Sequence, residues 1–63
     1  MTFAETENQL NKIVEYENVR YMFHAVLIAQ DIKTGEYLYF ARLLSLTANS
    51  VIECRLSDVK KIF

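Results

Sequence analysis

The sequence predicts an α+β domain, an N-terminal helix packed on a strongly bent antiparallel sheet of three or four strands. A small barrel of the SH3- or Sm-like kind is the alternative architecture. Three observations carry this expectation. Apolar residues recur at three- and four-residue spacing between residues 3 and 17. A long run of β-branched, aromatic and alternating residues fills 19–47 around the only glycine. No proline and no Gly-, Ser- or Gln-rich run interrupts the 63 residues, so they read as one small domain.

The first element is expected as a helix over residues 3–17. Thr2 with Glu5, and Thr6 with Gln9, both fit the S/T-x-x-E/Q capping pattern. Leu10, Ile13 and Val14 supply an apolar stripe, with Phe3 one heptad earlier. Asn18 is a suitable stop, because asparagine tolerates the left-handed conformation at a helix end.

The second element is a hairpin over residues 19–47. Ile32-Lys33-Thr34-Gly35 places glycine where a type I turn followed by a bulge requires positive φ. That turn sets Asp31 opposite Tyr37, and the pairing runs out through Gln30–Leu38, Ile28–Phe40, Val26–Arg42 and His24–Leu44. Strict alternation then sorts the side chains into two faces. One holds Tyr21, Phe23, Ala25, Leu27, Ala29, Tyr39, Ala41 and Leu43, and its alanines admit the helix. The other holds Met22, His24, Val26, Ile28, Gln30, Leu38, Phe40, Arg42, Leu44 and Leu46. Neither face is polar enough to be left to water.

Thr47-Ala48-Asn49-Ser50 forms a second turn. A third strand is expected over 50–57, with Ile52, Cys54 and Leu56 on one side. Residues 58–63 form a short last element, either a turn capped at Ser57-Asp58 or a fourth strand through Val59-Lys60-Lys61-Ile62.

Composition narrows the functional classes. The apolar fraction is 52 % in a chain near the lower limit for a self-sufficient core, which favours completion by self-association into a homodimer. A net charge of −1 supplies no global field toward nucleic acid or an anionic membrane. Glu5, Glu7, Glu15 and Glu17 make the first segment acidic against Lys12, while the remainder is mildly basic. One cysteine, Cys54, allows no internal disulfide, and no signal peptide or membrane span is evident, so a cytoplasmic location is expected.

The parts of an enzyme are missing from the pattern. One histidine and one cysteine lie on different strands, and Gly35 stands alone where phosphate cradles need several glycines. His24 has no neighbours at metal-ligand spacing. No cofactor is expected. The face interrupted by His24, Gln30 and Arg42 has the composition of an interface, so His24, Ile28, Gln30, Leu38, Phe40 and Arg42 are the candidate partner-binding or dimer residues. Nucleic-acid binding through Arg20, Arg42, Lys60 and Lys61 with Phe40 is the alternative.

A narrower pattern, Leu27, Gln30-Asp31, Gly35, Tyr37, Tyr39, Leu44-Ser45-Leu46, Ile52 and Arg55-Leu56, covers about half the chain. It resembles the hairpin and final strand of the small dimeric uracil-DNA glycosylase inhibitors of Bacillus phages. The resemblance implies a homodimer, a protein partner and no catalysis. That family places a helix with acidic and aromatic residues between its second and third strands, near the enzyme contact. Here only Thr47 to Ser50 stand there, so no inhibitory residue carries over.

Overall fold

The computed structural model describes residues 1–62; the last residue of the expected C-terminal element, Phe63, lies outside the described residues. The fold is a five-stranded antiparallel sheet with two short 3₁₀ turns. Its strands are β1 (Ile13–Tyr16), β2 (Val19–Gln30), β3 (Tyr37–Ser45), β4 (Val51–Arg55) and β5 (Lys60–Lys61), in the order β4-β3-β2-β1-β5. This corrects the α+β expectation. No N-terminal helix packs on the sheet.

The predicted helix divides into two elements. Phe3–Asn8 forms a single 3₁₀ turn, and Ile13–Tyr16 is a strand between β2 and β5. The Thr2/Glu5 start signal is real: the Glu5 carboxylate accepts from the Thr2 N–H at 2.9 Å and from its hydroxyl at 3.0 Å. Beyond Asn8 the chain is drawn to β2, where Asn11 N–H donates to the Phe23 carbonyl and Phe23 N–H to that of Lys12. Ile-Val-Glu-Tyr is rich in strand formers. As the middle of a three-strand ladder, this segment buries Val14 completely.

Asn18 takes the conformation expected of it in a different element. Tyr16 pairs with Val19, and Glu17 and Asn18 between them have φ of 50° and 64°. Two consecutive positive values make a two-residue hairpin turn of the primed kind, not a helix stop.

The β2–β3 turn carries Gly35 at φ 75°. Its N–H donates to the Asp31 carbonyl, Asp31 N–H donates to Glu36 O, and the Asp31 carboxylate takes the N–H of Lys33. The loop therefore closes on Asp31 and Glu36, and Gln30 faces Tyr37, one position from the predicted register. A second departure comes at His24, where β2 bulges: Phe23 pairs with Leu43 but Ala25 with Arg42. One inserted residue exchanges the two faces for everything beyond it. Val26, Ile28 and Gln30 thus share a side with Phe23, whereas Ala25, Leu27 and Ala29 share a side with Leu38, Phe40 and Arg42. The predicted faces hold below the bulge and are inverted along β2 above it.

The inner face holds the core: Val14, Phe23, Ala41, Leu43, Cys54, Leu56 and Val59. Leu56–Asp58 is the second 3₁₀ turn, which swings the chain from β4 across to β5 and delivers Leu56 and Val59 inward. The N-terminal turn spans one end of this face. Phe3 packs on Tyr39 with ring centroids 5.2 Å apart, and Glu5 is ion-paired with Lys61. The Met1 amine also donates to the Val59 carbonyl at 2.7 Å.

Candidate functional site

The outer face of the sheet is built from four rows of side chains that register fixes across the strands. Ile13, Met22, Leu44 and Val51 form the first row; Ala25, Arg42 and Glu53 the second; Leu27, Phe40 and Arg55 the third; Ala29 and Leu38 the last. None of these residues is buried, and Val51 is 55 % exposed. The elements that could have covered them, both 3₁₀ turns, place Phe3, Leu56 and Val59 on inner-face residues. Among the described residues, the chain seals one face of its sheet and leaves the other open.

A single polar row crosses this apolar face. Arg42 donates through Nη2 and Nε to Glu53 Oε1, at 2.8 and 3.2 Å. The sequence leaves two fates for Arg42, reaching the rim or meeting a carboxylate from another chain. The structure gives a third, a carboxylate on the neighbouring strand of its own sheet. The pair is part-exposed on both sides, and such pairs contribute at most about 1 kcal/mol. It sets a fixed dipole between two apolar rows. Next to it the Arg55 guanidinium sits 5.5 Å from the Phe40 ring centroid, a cation–π contact made within the sheet itself.

The six candidate residues do not form one cluster. Leu38, Phe40 and Arg42 lie together on the outer face, while the bulge sends Ile28 and Gln30 to the inner side beside Tyr39 and Tyr37. Gln30 is occupied at the turn, donating through Nε2 to the Gly35 carbonyl at 3.0 Å. His24 is the bulged residue itself and is exposed. Sequence reasoning missed Ala25 and Leu27 on the outer face, because alternation had assigned them to the helix. The one polar residue within the apolar run 21–29, His24, marks the position of the bulge.

Cys54 is buried, and burial pushes its thiol above the usual range, away from the reactive thiolate. Among the described residues no three His, Cys, Asp or Glu side chains gather as a metal site. Nor is any helix among the described residues long and apolar enough to cross a membrane. An open groove of about 610 Å³ lies at the lower end of the molecule, lined in part by Lys12, Arg20, Ile13 and Met22.

No family model, curated protein or solved structure matches this chain.

Proposed function

We propose that this protein is a non-enzymatic interaction module, a homodimer that binds or inhibits a larger protein through the outer face of its sheet. One observation carries the reading. Leu27, Leu38, Phe40, Leu44 and Met22 form an apolar surface that no described element covers, crossed by the Arg42–Glu53 pair. In a folded monomer a contiguous apolar patch of this kind marks an interaction site. An aromatic residue flanked by arginines is also the composition in which binding energy concentrates. The phage inhibitors that the hairpin resembles make a DNA-processing enzyme one candidate for the larger protein.

Nucleic-acid binding is the weaker reading, because two of its four candidate cations are engaged. Lys61 is paired with Glu5 and Arg42 with Glu53, which leaves the Lys12 and Arg20 groove without an exposed aromatic platform.

The test is affinity capture from lysate with immobilised wild-type and Phe40→Ala protein, each with and without nuclease. A discrete protein retained after nuclease and lost with Phe40→Ala supports the module. Capture that vanishes with nuclease overturns it in favour of nucleic acid. Capture unaffected by Phe40→Ala overturns the outer face as the binding surface.

A further inference from the structure

Among the described residues, four stretches of backbone edge are open in this sheet. The outer edge of β4 carries Glu53 and Arg55, and that of β5 is Lys60 and Lys61. Charge on an edge is the usual guard against unwanted strand pairing. The short open edge of β3 at residues 37–39 has Phe3 stacked against its Tyr39. The fourth is different. β1 reaches only as far as Met22, with two further bonds at Phe23, so the β1 side of β2 is unpaired over residues 25–30. That stretch reads Ala-Val-Leu-Ile-Ala-Gln, with no charge, no proline and no bulge. It is the composition most prone to pair with another strand, and it is unguarded.

The dimensions point the same way. The radius of gyration is 11.9 Å, where a compact chain of this length has about 10.6 Å. The accessible surface is 4686 Å², against about 4,200 Å² expected for its mass. The excess of about 500 Å² lies just below the roughly 600–1,000 Å² per partner that a stable complex buries. The molecule is 38 Å long, and the two-stranded upper part of the hairpin projects with Ile28 53 % and Tyr37 62 % exposed.

We infer that a second copy of this chain covers the edge, β2 against β2 and antiparallel, joining the two sheets into one. A two-fold contact suits the edge because it is self-complementary and closed, and it caps both unguarded strands at once. The alternation of an antiparallel ladder fixes which groups take part. Asp31 N–H points to β3, so those of Ala29 and Leu27 do also, while the peptide groups of Gln30, Ile28 and Val26 face the open side. The two-fold axis stands perpendicular to the sheet and keeps like faces together, and overlap of the open stretch 25–30 is greatest when the register centres on Leu27 or on Ile28. The Ile28 peptide group is bonded in both. The same axis sets the two outer faces side by side, doubling the surface of Leu27, Leu38 and Phe40. This pairing deepens the interaction-module reading and rests on it only for what the joined surface then binds.

The test combines sedimentation with amide hydrogen exchange on wild type, Ile28→Lys, Ile28→Pro and Phe40→Ala. Lysine adds the missing guard, and proline removes an N–H that β3 does not use. The expected result is a wild-type particle of twice 7.4 kDa with protected Val26 and Ile28 amides. Both Ile28 variants run at the single mass, and Phe40→Ala stays paired. A wild type that is monomeric at micromolar concentration overturns the pairing. So does a dimer that survives both Ile28 substitutions, or one in which the Val26 and Ile28 amides exchange freely. Should a variant fail to fold, exchange at those two amides in the wild type decides alone. A protected dimer that captures no protein sinks the functional reading and leaves the pairing intact; a monomer that captures one sinks the pairing and the homodimer, and leaves protein binding by the outer face standing.

Discussion

The lower and upper halves of the β2–β3 hairpin have nearly the same composition and opposite fates. Below the bulge at His24, the hairpin is flanked by β1 and β4, and its inner side chains Phe23 and Leu43 are fully buried. Above it, two strands project with no neighbour on the β1 side, and Leu27, Ile28 and Leu38 remain partly or largely exposed. Apolar character alone therefore does not decide burial. The number of flanking strands does, and that number depends on where β1 ends.

The sharpest way to break the comparison is to remove one apolar side chain from each half. Phe23→Ala should destabilise by about 3–5 kcal/mol, which approaches the whole stability of a chain this small, roughly 3–9 kcal/mol. Leu38→Ala should cost only about 1–2 kcal/mol in the monomer, since its side chain is partly exposed and leaves no enclosed cavity. Urea denaturation at low protein concentration reads both, and equal losses would refute the division into body and projecting ribbon.

Gly35→Ala probes the ribbon's tip. An added Cβ meets nothing closer than Gln30 Nε2 at 3.9 Å, so the cost is the backbone conformation at φ 75°, about 1–2 kcal/mol. The loss should appear as faster amide exchange in residues 25–31 and 36–40, with the β1–β5 ladder unchanged. The opposite test strengthens the body. Glu17→Asn with Asn18→Gly supplies the preferred residues for two positive φ values and should add about 0.5–1 kcal/mol in the same urea assay.

The smallest effect concerns the N-terminal turn. The hydrogen bond from Lys61, with those from Thr2, holds the Glu5 carboxyl down from its ordinary 4.5 to about 2. A lowered value means the tie is intact above pH 4.5 and is lost as pH falls toward 2. Tyr39 fluorescence and amide exchange near Phe3 should loosen across that window while the core stays folded. Glu5→Gln should remove the pH dependence, with a small cost because the pair is exposed.

How much of this was legible before any coordinates can be traced residue by residue. Gly35 marked the turn, and the only glycine in a long apolar run leaves few other readings. The strand content of 19–47 and 51–55 followed from β-branched and aromatic residues. The register did not follow, because a four-residue loop between Asp31 and Glu36 and a bulge at His24 each move it by one, and both are settled by the curl of the whole sheet. Residues 13–16 were misassigned for a related reason. Leu10, Ile13 and Val14 satisfy a helical period, yet Val14 gains complete burial only with β2 on one side and β5 on the other, and β5 comes from the far end of the chain.

By itself, then, the sequence determined that a glycine-turned hairpin would form and that both of its faces would be rich in apolar side chains. Which side chains share a face, which face the chain covers and which edge it leaves open were decided only by the tertiary structure. The physical reason is that side-chain parity is a property of the unbroken strand, whereas bulges and neighbouring strands are properties of the assembled sheet.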